Sequence, residues 1–391
     1  MKTRPDIRLT EGHHRILLIS PQPWDSIQVS KHHYARTLAE LGNHVFFLNP
    51  PIESLRFPQI MLENATDHEN IRIVNFSLGF PYFLKFKAKG LFDRLIRFRA
   101  RALARRCKPD IVWDFDNTGL FHDLREFSAK CRIFHPVDQL CSGSKKDKHA
   151  DAVFSVGENI LNCVVCNAPK QFIQHGLSGP FLEYGRTMLR QTKQYSLPAD
   201  RPISIGYIGN LSSATIDRIA FKTIVQNHPQ VQFELFGPFP KRDDSVACEE
   251  QDWRRFITTS KNCIVHGRRT PAEIVEQAHK IDGWLVCYDI ENDINSCCNS
   301  HKILEYLATG RVVISNRITA YDGLNLICTP ERLDNLELPN LFSRTIASLL
   351  EHNSSNNRQR RLSYAVENSY MSQIRIIQTK LNIPIDFPAS R

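Results

Sequence analysis

Short apolar runs and amphipathic stretches alternate along this chain at a spacing that predicts strand, helix, strand. Residues 15–20 form an apolar run of strand length, residues 30–41 carry helical spacing and stop at Gly42, and residues 45–49 form a second apolar run. Continuous apolar runs are what strands buried on both faces show, so this opening predicts a βαβ unit in a parallel sheet with right-handed crossovers. Further runs at residues 71–76, 111–115, 132–135, 152–156 and 171–174 lead into polar or Gly/Pro turns. Those turns are Asp116-Asn117, Pro136-Val137-Asp138, Gly157-Glu158 and His175-Gly176. Ligands of doubly wound sheets gather at the carboxyl ends of strands, so these turns are expected to converge.

The alternation pauses over a polar, proline-bounded stretch and then restarts. Strands are expected at 203–208, 231–236, 263–266 and 283–288, and helices at 215–227 and 271–279, with a moderately amphipathic helical segment over 358–381. A chain of 391 residues is long enough for two cores. The expected organisation is a first Rossmann-like domain at 1–180, a linker at 181–202, a second Rossmann-like domain at 203–357, and a terminal segment at 358–391.

The stretch from Asn299 to Asn316 carries the candidate chemistry. At helical spacing Ile303, Leu304, Leu307 and Ala308 share one face and Lys302, Glu305, Tyr306 and Thr309 the other, before Gly310 stops the helix and a β-branched strand follows. A helix start with Ser300 or Asn299 as cap and His301 and Lys302 in the first turn suits a diphosphate. Glu305, one turn on, suits two vicinal hydroxyls such as a ribose presents. The plainer reading is a capped amphipathic helix with a Lys302–Glu305 surface pair.

The run from Lys302 to Ser315, Lys-Ile-Leu-Glu-Tyr-Leu-Ala-Thr-Gly-Arg-Val-Val-Ile-Ser, resembles the donor-site signature of GT-B glycosyltransferases of the family 4-like, "glycosyltransferase family 1 protein" type. The resemblance implies an α/β fold of two Rossmann-like doubly wound domains with the active site in the interdomain cleft, and a terminal helix that crosses back to the first domain. It implies that Glu305 holds the ribose; Lys302, His301 and the N–H groups at Asn299 and Ser300 are the candidates for the leaving diphosphate. The 205–210 run resembles the start of the nucleotide-binding lobe, with Gly209 and Asn210 allowing backbone approach. His266-Gly267-Arg268-Arg269 resembles the turn beside the nucleobase, with Arg268 a second candidate for phosphate charge. His175-Gly176 resembles the segment that closes the first domain. No metal and no cofactor is expected beyond the nucleotide diphosphate sugar itself.

Two positions depart from that pattern. Cys297 stands eight residues before Glu305, where retaining relatives carry a glutamate, and Asn210-Leu211-Ser212-Ser213-Ala214-Thr215 stands where they carry an arginine and a lysine. Glu291 and Asp293 are the substitutes in that loop, and retention or inversion stays open. On the acceptor side Asp25, His32, His33, Asp116, Asp138 and His175 all lie at or near expected strand ends. Asp25, Asp138 and His175 are the catalytic candidates, with turn or helix capping the alternative for each.

Charge adds a partner. The formal net charge is +9, and between Lys85 and Lys108 ten Lys or Arg residues face a single acid, Asp93, with Phe80, Tyr82, Phe83, Phe86, Phe92 and Phe98 interleaved. That composition predicts peripheral contact with an anionic membrane through residues 80–108. A solvated basic helix at 91–106, packing through Phe92, Leu95, Ile96 and Leu103, is the alternative. Nucleic acid is not an expected partner, because no recognition motif accompanies the charge.

No apolar run approaches about 18 residues, and the first residues lead into no signal-peptide core, so a cytoplasmic protein, peripheral at the inner membrane face, is expected. Eleven cysteines without a framework read as reduced thiols, and Cys163-Val164-Val165-Cys166 lacks the second pair that a zinc site needs. The expected function is transfer of a sugar from a nucleotide diphosphate sugar to a glycan or lipid-linked acceptor in surface polysaccharide or glycolipid assembly. A non-catalytic nucleotide-sugar-binding protein and a nucleotide-sugar epimerase are the other readings.

Overall fold

The computed structural model describes residues 7–11, 13–26, 28–53, 57–141, 147–177, 179–191, 194–239, 248–291 and 297–382. The chain forms two compact units, Met1–Gly176 with Tyr370–Arg391, and Leu177–Ser369.

The first unit is built on an eight-stranded sheet of order β3-β4-β2-β1-β5-β6-β7-β8. Its strands are β1 (Arg15–Ile19), β2 (His44–Leu48), β3 (Ile60–Asn64), β4 (Ile71–Phe76), β5 (Ile111–Asp114), β6 (Cys131–Phe134), β7 (Ala152–Ser155) and β8 (Lys170–Phe172). All pairings are parallel except β3 with β4. Because successive side chains point to opposite faces, Leu18 and Phe47 enter one core and Leu17 and Phe46 the other. Helix α1 (Ser30–Glu40) and the C-terminal helix Tyr370–Asn382 cover the first of these faces through Tyr34, Leu38, Ile374 and Ile377. After the short α2 (Leu84–Lys87), α3 (Lys89–Cys107) covers the other face through Phe92, Ile96 and Leu103. α4 (Glu158–Cys163) follows β7. The edge strand β3 was not expected, since its half-buried, mixed composition lacks an apolar run.

The second unit carries a five-stranded, all-parallel sheet of order β11-β10-β9-β12-β13. Its strands are β9 (Ile203–Ile208), β10 (Val231–Phe236), β11 (Cys263–Gly267), β12 (Gly283–Val286) and β13 (Val312–Ser315). The helices around it include α5 (Gly179–Leu189), α6 (Arg218–Asn227), α7 (Cys248–Thr259), α8 (Pro271–Gln277) and α9 (His301–Leu307). α10 (Leu338–Ala347), α11 (Leu349–His352) and α12 (Ser355–Glu367) complete the set.

Two boundary expectations need correction. The 181–202 stretch is not all linker, because residues 181–189 belong to α5, whose Phe181 is buried with Ile303, Leu307 and Ala365 of the second unit. Pro180 marked a boundary in the sequence, yet proline is tolerated in the first turn of a helix and here begins one. The terminal segment is likewise two helices. α12 packs into the second unit, and the break at Asn368-Ser369, where Leu177 N–H donates to the Asn368 carbonyl at 2.8 Å, releases the C-terminal helix to the first. Tyr364 packs against the second core, while Tyr370 and Ile374 join the first.

Candidate functional site

In the second unit, three glycine turns at the carboxyl ends of β9, β10 and β11 lock together. Gly209 N–H donates to the Phe236 carbonyl and Gly237 N–H to the Gly267 carbonyl, each at 2.8 Å. A Cβ on Gly237 would fall 1.7 Å from the Gly209 oxygen, so no other residue fits without moving the backbone. A Cβ on Gly209 would lie 2.8 Å from Lys302 Nζ. The absent side chain therefore lets the Lys302 amine rest directly on the β9 turn.

Lys302 and Glu305 lie one turn apart on α9, both half-buried. The Lys302 amine sits 5.7 Å from the centre of the Tyr207 ring and 5.3 Å from that of Tyr288. Burial opposes its charge, but Tyr288, Tyr207 and Glu305 outweigh that and hold its pKa above the ordinary lysine value. Burial pushes the Glu305 carboxyl up to about 7, against the pull of Lys302. Burial also raises the Tyr207 phenol to about 12.

The rest of α9 departs from the expected two-faced helix. Tyr306 is fully buried, stacked on Trp284 at 4.6 Å, and its hydroxyl accepts from Ile208 N–H at 2.8 Å. Thr309, also buried, accepts from the Trp284 indole N–H at 2.8 Å. The indole from β12 supplies an apolar wall on what composition marked as the polar side. Ser300 occupies the N-cap position, but its hydroxyl caps nothing and bonds the Tyr288 hydroxyl at 2.8 Å.

Among the other donor-side candidates, Asn299 is buried, while His301, Asn210 and Arg268 are exposed. The Asn210 side chain accepts from Ser212 N–H at 3.1 Å and shapes its own turn. Arg268 follows Gly267 at the end of β11. His266 just before it stacks on Phe236 at 4.5 Å and bonds Glu234 at 2.5 Å. Cys297 is buried, and its sulfur accepts from Asn316 Nδ2 at 3.3 Å. Glu291 is exposed, and Asp293 lies outside the described residues.

The first unit sorts its candidates by their hydrogen bonds. His32 takes Val29 N–H on Nδ1 and donates from Nε2 to the Pro23 carbonyl, so both ring nitrogens are engaged in shaping the loop before α1. His33 stacks on Tyr370 at 5.0 Å, and burial drops its pKa to about 4. Both carboxylate oxygens of Asp116 accept backbone N–H groups, from Thr118 and Leu120. All three are thus engaged in local contacts within the first unit. Asp25 and Asp138 are exposed, and His175 is half-buried.

Sequence reasoning missed two groups there. Lys31, in the first turn of α1, is buried with its amine 3.9 Å from Asp138. His135, just past β6, is fully buried, and its pKa is lowered to about 3 by burial, with His175 and Lys31 adding to the effect. Lys31 sits in the polar run Ser30-Lys31-His32-His33 that opens α1, so nothing in the sequence marked it as buried.

The basic segment keeps three of its six aromatics, Phe83, Phe86 and Phe98, outside. Phe83, Phe86, Leu91 and Phe98 are exposed, Phe86 to 77%, along α2 and α3. Leu95 is half-buried, while Phe92, Ile96 and Leu103 pack inward. Lys85 donates to the Tyr82 hydroxyl and the Thr118 carbonyl, so it is a local brace. Arg97 and Arg101 pair with Glu126. Among the described residues no helix is long and apolar enough to cross a membrane, and no group of three His, Cys, Asp or Glu could hold a metal ion.

Comparison with family models finds no match, and no curated protein matches in sequence. Solved structures do match. Sucrose-phosphate synthase from Thermosynechococcus elongatus superposes with a TM-score of 0.62 at 14% identity, over 94% of this chain and 98% of that one. An α,α-trehalose-phosphate synthase (UDP-forming) from Burkholderia vietnamiensis gives 0.62 at 12% identity, over 94% and 99%. Anabaena HepE, solved in complex with UDP-glucose, gives 0.59 at 13% identity, over 94% and 99%. The chain therefore has the GT-B fold, an α/β architecture of two parallel-sheet domains.

Proposed function

We propose that this protein is a metal-independent glycosyltransferase of the family 4-like type that draws its sugar from a nucleotide diphosphate donor. The carrying observation is the Lys302 amine lying on the Gly209 turn with Glu305 one helical turn away. In this reading the ribose hydroxyls donate to Glu305. The leaving diphosphate meets the charge of Lys302, with His301, Arg268 and the backbone at Asn299 and Ser300 around it, and Gly209 and Asn210 let it approach. HepE, a structural neighbour solved with UDP-glucose, supports a UDP-sugar as the donor.

The acceptor belongs to the first unit, where Asp138 takes the proton of the attacking hydroxyl and Asp25 and His175 stand as the other bases. The exposed aromatics and unpaired cations of residues 80–108 support a protein lying on the anionic inner face of a membrane. A lipid-linked or glycan acceptor for surface polysaccharide or glycolipid assembly fits that placement.

Cys297, in the place of a glutamate, favours a second reading, a module that binds a nucleotide sugar without turning it over. Incubation with UDP-, GDP-, ADP- and CMP-sugars, with and without membrane-extracted lipid acceptors, separates the readings. Nucleotide released from one donor and accelerated by acceptor is the expected result. Affinity without turnover would leave the binding module, and a new nucleotide sugar formed without acceptor would make the protein an epimerase.

A further inference from the structure

Among the described residues of the first unit, two lysine ammonium groups are buried, and the fold treats them differently. Lys148 is fully served: its amine lies 2.7 Å from Asp114 Oδ2, 3.1 Å from the Asp116 carbonyl and 4.3 Å from the centre of the Phe134 ring. Lys31, 1% exposed, has Asp138 Oδ2 at 3.9 Å, beyond hydrogen-bonding distance, with the Asp116 carboxylate adding a weaker attraction. A buried ammonium has three donors and is costly to leave unanswered. Asp138 itself has a side chain 57% exposed, so it is a loose counter-ion rather than a fixed one.

A second unanswered donor lies in the same neighbourhood. His135 Nδ1 accepts from the Trp113 indole at 3.2 Å, which leaves the ring proton on Nε2, and that atom is buried without a partner. Lys31, in the first turn of the helix after β1, faces Asp138 just past β6, and His135 is the first residue after β6, so both groups lie at the carboxyl edge of the sheet. Two donors, each more than nine-tenths buried, lack acceptors where a doubly wound sheet binds its ligands.

We propose that Lys31, with His135 behind it, receives an anionic oxygen group of the acceptor, a phosphate or a carboxylate, beside the Asp138 carboxylate. This rests on the reading that the acceptor is held by the first unit. It adds that the acceptor is charged, and that Asp138 yields the ammonium when the anion arrives. The anion displaces a 3.9 Å contact with hydrogen-bonded ones, which is the stronger arrangement for a point charge.

Isothermal titration of the full chain with inorganic phosphate and, separately, with glucuronate tests this, with UDP titrated into the same samples. At least one anion is expected to bind the wild type, and the tighter of the two identifies the group. Lys31→Met is expected to weaken that binding at least tenfold, Lys31→Arg to keep most of it, and Asp138→Asn, which removes the competing carboxylate, to tighten it severalfold. UDP affinity is expected to be the same in all four proteins. Neither anion binding the wild type, equal binding by Lys31→Met, or an unchanged Asp138→Asn would each overturn the proposal. Loss of anion binding in Lys31→Met from a protein that never binds UDP would uphold the anion site and remove the donor reading instead.

Discussion

The Tyr288 hydroxyl bonds the Ser300 hydroxyl across 2.8 Å inside the second unit, so the end of β12 is tied to the start of α9. Both side chains are buried; removing the Tyr288 oxygen strands the Ser300 hydroxyl, whereas removing the Ser300 oxygen leaves Tyr288 only its bond to Lys302. Ser300→Ala and Tyr288→Phe are each expected to lower unfolding stability by about 1–2 kcal/mol. The double variant is expected to lose clearly less than the sum, because the second change removes an already orphaned group. Denaturant melts of the four proteins measure this coupling.

Glu305 carries a pH signature. Its folded pKa of about 7 exceeds the ordinary 4.5, so the stability it contributes is full below about 4.5 and is lost as pH rises through 7. Glu305→Gln removes that loss. The variant is expected to melt about 2–4 °C above wild type at pH 8, with the gap closing by pH 5, in thermal scans without ligand.

Lys148 and Asp114 form a buried pair at 2.7 Å, with side chains 2% and 0% exposed. Breaking such a pair from one side leaves a lone buried charge, so Lys148→Met is expected to cost about 3–5 kcal/mol. Lys148→Met with Asp114→Asn is expected to recover most of it. Urea unfolding of the single and double variants is the check.

The α2–α3 face is expected to bind anionic vesicles in a salt-sensitive way. Lys87→Glu with Lys89→Glu should cut cosedimentation with phosphatidylserine vesicles at least fivefold, roughly 1 kcal/mol per charge. Phe83→Ala with Phe86→Ala should weaken it at all salt concentrations, since the rings act through buried area. Lys85→Gln, which removes an internal brace, should affect stability more than binding.

How much of this was legible in the sequence depends on what each residue reports. The central strands of both sheets announced themselves because parallel strands buried on both faces must be apolar throughout, while the edge strands β8 and β11 were legible despite being largely open to water. β3 was not, because its mixed composition lacks an apolar run. The Lys302–Glu305 pair was legible from spacing, but the buried side of Tyr306 and Thr309 was not, because it depends on Trp284, eighteen residues upstream of Lys302 in the sequence. Ser300 looked like a cap because serine caps helices, and only the position of Tyr288 shows that its hydroxyl goes elsewhere. Lys31 and His135 escaped notice because charge pattern alone does not reveal burial, and the consequence of burying a lysine depends on which acceptors the fold brings to it.

The central claim is that Lys302 and Glu305 hold a nucleotide diphosphate sugar. Titration calorimetry of UDP-glucose against wild type, Glu305→Ala and Lys302→Met at pH 8 tests it most directly. The account predicts binding by the wild type, weakened at least tenfold in each variant while each remains folded. Equal affinity in all three proteins, or in a panel of nucleotide sugars no binding at all, would contradict it.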